Sequence, residues 1–353
     1  MLNKNYSLLI ILLLSFSFCQ YITAQESINK KDFYSAIIGF YNVENLYDTI
    51  DSPDTDDSEF LPNGKNEWTG ERYYQKMGQL SRVISEMGTE INPDGLAILG
   101  LCELENKDVV TDLIATQKLK GRKYEIVHYN SPDRRGIDVG FIYQPKYFKV
   151  TASKTYSVHL EGKPDFRTRD QLLVSGKLDG EQIHVIVAHW PSRRGGEKKS
   201  MPNRVAAATV GRHIIDSLFA LDPNAKIIYM GDLNDDPINN SVKNVLKSGS
   251  NEADTVGTTL FNPMHDLHKK GIGSLAYRDA WNLFDQTILS PNWMKKDYSS
   301  FCYYGAKVYN KPYLASPEGQ YKGYPFRTYS GGAFTGGFSD HFPVYVVLVK
   351  EKK

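Results

Sequence analysis

Cysteine is scarce in this sequence, and its three cysteines lie far apart. The chain has 353 residues, and the cysteines are Cys19, Cys102 and Cys302. This spacing argues against a disulfide-rich scaffold and against a zinc site built from clustered thiolates. Cys102 lies inside an apolar segment, which predicts a buried thiol. A disulfide between Cys102 and Cys302 stays open for a protein that folds in an oxidising compartment.

Three common catalytic signatures are also absent. The sequence contains no Gly-x-x-x-x-Gly-Lys loop, no Gly-x-Ser-x-Gly turn and no His-Glu-x-x-His helix. Their absence argues against a P-loop nucleotide hydrolase, an α/β-hydrolase and a zinc metalloprotease.

Long apolar runs are confined to the start of the chain. The run from Leu8 to Phe18 follows Lys4 and precedes the residues Ile22-Thr23-Ala24. A basic start, an apolar core too short to span a membrane and a small-residue end predict a signal peptide over residues 1–24. A retained anchor and lipidation at Cys19 are the alternatives. We therefore predict a secreted or periplasmic protein with no stable membrane span.

The rest of the chain has no net charge. Removing residues 1–24 removes one lysine and no acid, which leaves equal numbers of basic and acidic residues. Proteins that bind nucleic acid without sequence preference usually carry a basic excess, so any basic surface must be local. No linker rich in proline, glycine or serine divides the remainder, which predicts a single domain over residues 25–353 and a monomer.

Segments typical of strands and helices alternate along the chain. Residues 33–43, 95–101, 182–189 and 227–230 are apolar runs of strand length, whereas residues 72–87 and 201–221 have apolar residues at helical spacing. Strand runs interrupted by a few helices predict an α+β fold with mixed sheets. Residues 291–332 contain eight tyrosines. Core packing, base stacking and contact with lipid or sugar are all open for that segment.

Polar residues stand at the ends of several predicted strands. They are Asn42, Glu103, His189, Asp232, Asn234, Asp285, Asp340 and His341. A single acid after a strand is most often a turn residue, but acids, amides and histidines at six strand ends indicate a shared site. Oxygen ligands without a cysteine cluster suit Mg²⁺ or Mn²⁺ better than zinc. The acidic loop 51–59 lacks the glycine and closing glutamate of a calcium loop.

The order of these motifs resembles that of the endonuclease/exonuclease/phosphatase superfamily. The resemblance rests on Asn42, Glu103, His189, Gly231-Asp232-Leu233-Asn234, Asp285 and Ser339-Asp340-His341, and it spans roughly residues 33–349. It implies a four-layer α/β sandwich, in which two packed mixed sheets are flanked by helices. It also implies a metal-dependent phosphoester hydrolase.

The resemblance further implies roles for the acids and amides. Glu103 would bind the metal ion, with Asn42 and Asp340 as the other residues of the metal site. Asp232 would orient or deprotonate the attacking water, and Asn234 would hold a phosphate oxygen.

The two histidines are implied to act on the phosphate. His341, paired with Asp285, and His189 would both contact it as cations. Asp138 is the residue expected to orient His189.

Basic residues beside His189 point to the substrate. Arg193 and Arg194 follow it closely and are expected to bind phosphate, which guanidinium groups do in bidentate fashion; solvated loops are the alternative. We favour an endonuclease or related nucleic-acid phosphodiesterase acting on DNA or RNA. A phosphatase or sphingomyelinase-like phosphodiesterase for small or lipid phosphoesters stays open, as does a catalytically silent binding protein on the same fold.

Overall fold

The computed structural model describes residues 32–352, so the predicted signal peptide lies outside the described residues. Within that range the strands are β1 (Phe33–Leu46), β2 (Leu96–Leu104), β3 (Glu125–His128), β4 (Asp138–Tyr143), β5 (Phe148–Tyr156), β6 (Gln171–Leu178), β7 (Glu181–His189), β8 (Ile227–Asp232), β9 (Ser248–Gly249), β10 (Leu260–Phe261), β11 (Leu275–Tyr277), β12 (Ala280–Asn282), β13 (Asp285–Leu289), β14 (Cys302–Val308), β15 (Tyr329–Ser330), β16 (Ala333–Phe334) and β17 (Val344–Glu351). The α-helices are α1 (Gly70–Glu86), α2 (Lys107–Ala115), α3 (Glu197–Leu221) and α4 (Met264–Lys269). Short 3₁₀ turns occur at Ser58–Phe60, Lys120–Arg122, Glu252–Asp254, Pro291–Trp293 and Pro312–Leu314, and a π-helical turn occurs at Ser241–Val245. Across residues 32–352, no helix is both long enough and apolar enough to cross a membrane.

Two mixed β-sheets form the centre of the molecule. The six-stranded sheet has the order β14-β17-β1-β2-β4-β3, and the seven-stranded sheet has the order β5-β6-β7-β8-β13-β10-β9. Each sheet contains a parallel pair among its inner strands, β1 with β2 and β7 with β8. The strands β11–β12 and β15–β16 form two separate ribbons. The predicted sandwich of two mixed sheets is confirmed.

Side-chain alternation in β7 explains how the layers pack. Ile183, Val185 and Val187 belong to the core that includes the six-stranded sheet, whereas Ile186 and Ala188 pack with α3. Successive strand residues point to opposite faces, so one strand supplies both cores. Burying each large aliphatic side chain contributes about 1.5–3 kcal/mol. Helices α1 and α2 share the core of the six-stranded sheet, which completes four layers.

The tyrosine-rich segment contains an edge strand that the sequence did not reveal. Strand β14 pairs antiparallel with β17 at the edge of the six-stranded sheet. Cys302 of β14 and Cys102 of β2 are both buried free thiols. Strands β17 and β1 lie between them, and with strands about 4.8 Å apart the two cysteines are too far apart to bond. The disulfide alternative is therefore excluded.

Candidate active site

Three neighbouring strands of the seven-stranded sheet bring polar side chains together. His189 of β7 is in register with Asp232 of β8, and Asp232 is in register with Asp285 of β13. Residues directly opposite one another point to the same face of a sheet. The three side chains therefore lie side by side, and all three are buried.

Bulges in β1 and β2 turn residues of the six-stranded sheet toward the same site. The strand register shifts after Asn42 and again after Cys102. At these bulges Glu44, Asn45 and Glu103 have φ angles of 51°, 50° and 62°. A left-handed backbone is unfavourable for residues other than glycine and is concentrated at functional sites. The backbone amide of Asn45 donates to Glu103 Oε2 at 3.0 Å, so one bulge fixes the carboxylate of the other.

Asn42 links the carboxylates of the two sheets. Its Nδ2 donates to Glu103 Oε1 at 3.3 Å and to Asp232 Oδ2 at 3.1 Å, while its Oδ1 accepts from the Glu44 amide at 2.9 Å. Asn42 was expected as a metal residue, and this stays a prediction, since an amide oxygen that accepts one hydrogen bond keeps a second lone pair. In this arrangement the amide group of Asn42 positions Glu103 and Asp232.

His341 and Asp285 form a buried pair across the two sheets. His341 Nδ1 lies 2.6 Å from Asp285 Oδ2, and His341 Nε2 lies 3.9 Å from Asp232 Oδ2. Burial alone would lower the pKa of His341, but the carboxylates of Asp285 and Asp232 outweigh it and raise the pKa well above its ordinary value. The structure thus brings together the predicted pair and favours an imidazolium.

His189 has the opposite electrostatic setting. Its Nε2 lies 3.6 Å from Asp232 Oδ2 and 3.9 Å from Glu103 Oε1, and its buried Nδ1 has no hydrogen-bond partner among residues 32–352. Burial and the nearby guanidinium groups of Arg169 and Arg135 lower the pKa of His189 well below its ordinary value. The expectation of a cationic His189 at the phosphate stays a prediction, although burial in this structure disfavours the charged imidazole.

Asp138 pairs with a different histidine. Its Oδ2 lies 2.9 Å from His128 Nε2, and its Oδ1 accepts from the Ser131 amide at 2.7 Å. The predicted role of Asp138 in orienting His189 is not observed. Its carboxylate is turned toward β3, the strand that pairs with β4.

The converging ligand atoms fit a single divalent cation. One ligand atom each from Glu103, His189 and Asp232 lies within 4.8 Å of the others. Two carboxylates suit Mg²⁺ or Mn²⁺, and a neutral imidazole keeps a lone pair for a metal ion. Burial raises the pKa of Asp232 to about 7, although His341 opposes the shift. A bound cation would supply positive charge that this buried cluster lacks.

Asp340, predicted as a further metal residue, lies at the rim of the site. Its side chain is 32% exposed, and its Oδ2 accepts from Arg327 at 2.8 Å. Its Oδ1 is 3.9 Å from His341 Nε2. One oxygen of Asp340 is therefore committed to an ion pair, and the other faces the protonated histidine.

Asn234 continues the site beyond β8. Its backbone amide donates to Asp232 Oδ1 at 2.9 Å, and its Nδ2 donates to the Trp190 carbonyl at 2.9 Å. Asn234 also has a left-handed backbone, with φ 50°. The tight turn after β8 thus fixes the orientation of the Asp232 carboxylate.

The two arginines expected at the phosphate differ in their surroundings. The Arg193 guanidinium lies 3.1 Å from Asp235, 3.4 Å from Asp236 and 3.2 Å from Glu197, so its predicted role as a phosphate ligand is not supported. These acids attract it into the turn after β8. Arg194 is exposed, and across residues 32–352 it has no hydrogen bond or ion pair, which leaves it available to a phosphate.

A buried lysine behind the site was missed in the sequence. Lys76 of α1 is 1% exposed, and its Nζ donates to the Glu44 carbonyl at 2.9 Å, to Thr328 Oγ1 at 2.5 Å and to the Phe338 carbonyl at 3.2 Å. Lys76 thereby joins the end of β1 to the loop that precedes β17. The sequence did indicate that Lys76 is buried, because Leu80 lies four residues further along α1 and therefore on the same buried face of the helix.

Glu44 is the second buried charge in this network. Its carboxylate lies 3.7 Å from Lys76 Nζ and 3.4 Å from Arg327 Nε, and it accepts from the Thr328 amide at 2.6 Å. Burial and Asp340 raise the pKa of Glu44 despite the two cations. The network therefore connects the left-handed bulge of β1 to Asp340 through Arg327.

Comparison with known proteins agrees with this geometry. The model of the Endonuclease/Exonuclease/phosphatase family matches residues 37–350, so the chain belongs to this family and is a phosphoester hydrolase. No curated protein matches the sequence.

Solved structures share the fold at low sequence identity. Humanised D. rerio TDP2 is 13% identical with a TM-score of 0.54, covering 89% of this chain and 98% of that one. D. rerio TDP2 complexed with single-strand DNA product is 15% identical with a TM-score of 0.52, covering 89% and 98%. A mannosyl-6-phosphatase of Bacteroides thetaiotaomicron is 16% identical with a TM-score of 0.52, covering 89% and 99%. These likenesses show the fold.

Proposed function

We propose that this chain hydrolyses phosphodiester bonds in nucleic acid and uses a bound Mg²⁺ or Mn²⁺ ion. The observation that carries the proposal is the buried cluster in which Glu103, Asp232 and His189 converge beside the His341–Asp285 pair. Such a cluster combines a cation site, a base and a protonated hydrogen-bond donor.

In the proposed mechanism, Asp232 accepts the proton of the attacking water. In this mechanism Glu103 and His189 would hold the ion, and the buried Asp232 carboxylate beside them stays free to take up that proton. Asn42 and the Asn234 amide hold its two oxygens in place. His341 donates a hydrogen bond to a phosphate oxygen, with Asp285 maintaining the proton. A divalent ion at Glu103 would stabilise the charge that develops on the phosphate.

A local basic surface supports a polyanionic substrate. Six exposed cations, which we call the basic rim, flank the site on the side of β4, β6 and β7: Arg134, Arg135, Arg167, Arg194, Lys198 and Lys199. Acidic neighbours such as Asp165 and Glu197 offset them in part. The rim provides phosphate contacts although the chain without residues 1–24 is neutral. D. rerio TDP2, which has a similar fold, was solved with single-strand DNA product.

A small phosphoester is the second candidate, and one feature favours it. A groove of about 750 Å³ is lined by Tyr277, Tyr321 and Tyr324 and ends at Asp340; we call it the aromatic groove. Its volume lies in the range of small-ligand pockets. The mannosyl-6-phosphatase of similar fold illustrates a compact substrate on this scaffold.

A substrate panel tests the proposal. Protein dialysed against EDTA would be assayed on plasmid DNA, single-strand DNA, RNA and phosphomonoesters, with and without added Mg²⁺, Mn²⁺ or Zn²⁺. We expect cleavage of nucleic acid that needs Mg²⁺ or Mn²⁺, is lost in Glu103→Ala and persists in the exposed control Glu71→Ala. The Michaelis constant should rise steeply with salt, since phosphate contacts release counterions. Hydrolysis of phosphomonoesters alone would contradict the proposal.

Export of the mature protein is a separate proposal. The apolar run and Ala24 support cleavage near residue 24. Mass spectrometry of the protein from its native envelope would test this, and a mature chain still starting at Met1 would refute it.

A further inference from the structure

In the six-stranded sheet, β17 follows the groove residue Asp340, and β4 follows Arg134 and Arg135 of the basic rim. These two strands lie on opposite sides of β1 and β2, so the groove and the rim flank the site from different sides. The walls of the aromatic groove come from the β11–β12 ribbon and from the loop 316–327, and the groove ends at Arg327 and Asp340. Asp340 directly precedes His341, so the groove opens where the substrate phosphate is expected. A substrate that crosses the site therefore passes from the rim to the groove.

The walls of the groove present aromatic faces on a fixed framework. Tyr277 is 62% exposed and Tyr321 is 45% exposed. The ribbon turns at Arg278 and Asp279, which have left-handed backbones, and Arg278 lies over the Tyr277 ring at 5.2 Å. Asp279 accepts from the Tyr324 hydroxyl at 2.5 Å, which joins the two walls.

The ribbon is also tied to the residue that follows His341. Trp281 of β12 stacks on Phe342 with ring centroids 6.0 Å apart and an interplanar angle of 15°. The Phe342 amide donates to the Ser274 carbonyl at 2.7 Å. Because Phe342 follows His341, a ligand held by the ribbon has a fixed distance from the active site.

The charge of the groove selects the kind of group it accepts. Its lining carries three acids, Asp279, Glu318 and Asp340, against Arg278 and Arg327, and Arg327 already pairs with Asp340. A surplus of carboxylates disfavours a phosphate. Aromatic faces favour a flat, uncharged ring, and free carboxylate oxygens accept hydrogen bonds from ring amino groups.

We propose that the aromatic groove holds one unpaired nucleobase of a single-stranded nucleic acid, next to the phosphate that is hydrolysed; this rests on the proposed function. The basic rim contacts the backbone on the other flank. A base within a duplex has both faces covered by its neighbours and cannot stack in the groove. Single strands are therefore the preferred substrate, and amino-bearing bases are preferred over thymine.

The first test compares substrates with and without bases. Tyr277→Ala and Tyr321→Ala should each raise the Michaelis constant for single-strand DNA by roughly 5- to 100-fold, the effect of losing one base–aromatic stack. Neither change should alter cleavage of the same DNA chain carrying base-free spacers, which offers no ring to stack. Tyr304→Ala, an exposed tyrosine outside the groove, is the matched control and should leave both substrates unaffected. Equal losses on both substrates, or no loss, would overturn the groove assignment while leaving the nuclease proposal intact.

The second test measures binding without turnover. Fluorescence anisotropy in EDTA would compare a single-strand oligonucleotide with the same chain carrying base-free spacers. We expect weaker binding of the base-free chain, and Tyr321→Ala should remove the difference. Glu318→Gln should reduce a preference for oligo-dC over oligo-dT. Equal binding of the oligonucleotide with bases and the base-free oligonucleotide would overturn the inference, even if the protein cleaves no nucleic acid. A sugar phosphate that displaces the oligonucleotide from the groove would also overturn it.

Discussion

Lys76 offers a strong quantitative test of the structure. In Lys76→Met the side chain keeps its approximate length and loses its charge and all three hydrogen bonds. Glu44 then stays buried with Arg327 and the Thr328 amide as its remaining partners. Removing one partner of a buried ion pair costs about 3–5 kcal/mol, and here the buried Glu44 carboxylate keeps only the half-exposed Arg327 as a counter-charge.

A loss of this size is measurable by unfolding in urea or heat. Since 1 kcal/mol shifts the melting temperature of a large domain by roughly 2–4 °C, we expect a decrease of roughly 6–20 °C. Lys107→Met, which removes an exposed lysine at the start of α2, is the control and should change the free energy of unfolding by less than about 0.5 kcal/mol.

The double variant Lys76→Met/Glu44→Gln separates charge from packing. Replacing both charges also removes the carboxylate that has lost its buried partner, so the double variant should be more stable than Lys76→Met alone. Two outcomes refute this reasoning. One is a cost of less than about 1 kcal/mol for Lys76→Met; the other is strict additivity of the two changes.

Three further predictions follow from the site and its surroundings. His341→Ala should reduce turnover in steady-state assays by roughly 10²- to 10⁴-fold with the fold retained, and Asp285→Asn should reduce it less. The loss of turnover in the double variant should be smaller than the product of the two single losses. Because burial favours the neutral imidazole of His189, which keeps a lone pair for a metal ion, His189→Asn should weaken the apparent affinity for Mn²⁺ in a titration, with little change in the free energy of unfolding. Burial raises the pKa of Glu105 from 4.5 to about 7, so between these two pH values the folded protein binds a proton that the unfolded chain does not. The contribution of Glu105 to the free energy of unfolding should therefore fall as the pH rises from 4.5 to 7, by at most about 3 kcal/mol. Melting curves of Glu105→Gln at both ends of the interval should show a smaller fall than wild type.

Much of the site could be predicted because its residues follow apolar strands in the sequence. The runs that end at Glu103, His189 and Asp232 were visible, and strand pairing then brought their ends together. The lowered pKa of His189 could not be predicted, because it depends on burial and on Arg169 and Arg135 from separate loops. The partner of Asp138 was likewise hidden, since it depends on the pairing of β3 with β4.

The fold, like the site, could be predicted where the local sequence determines an element and could not where a distant strand does. Apolar periodicity indicated α1 and α3 to within a few residues, because a buried helix face repeats along the sequence. Strand β14 escaped prediction because its tyrosines and lysine do not alternate clearly, and its place depends on β17, whose sequence lies more than thirty residues later.

The left-handed backbone of Glu103 has a consequence for how this protein could change in evolution. Glycine adopts that conformation without strain, whereas a side chain costs about 1 kcal/mol or more. Glu103→Gly would thus abolish a ligand of the reaction centre and at the same time relax the main chain. The hydrogen bonds that Glu103 accepts from the Asn45 amide and from Asn42 oppose that gain. The stability of this turn and the activity of the site therefore depend on the same side chain.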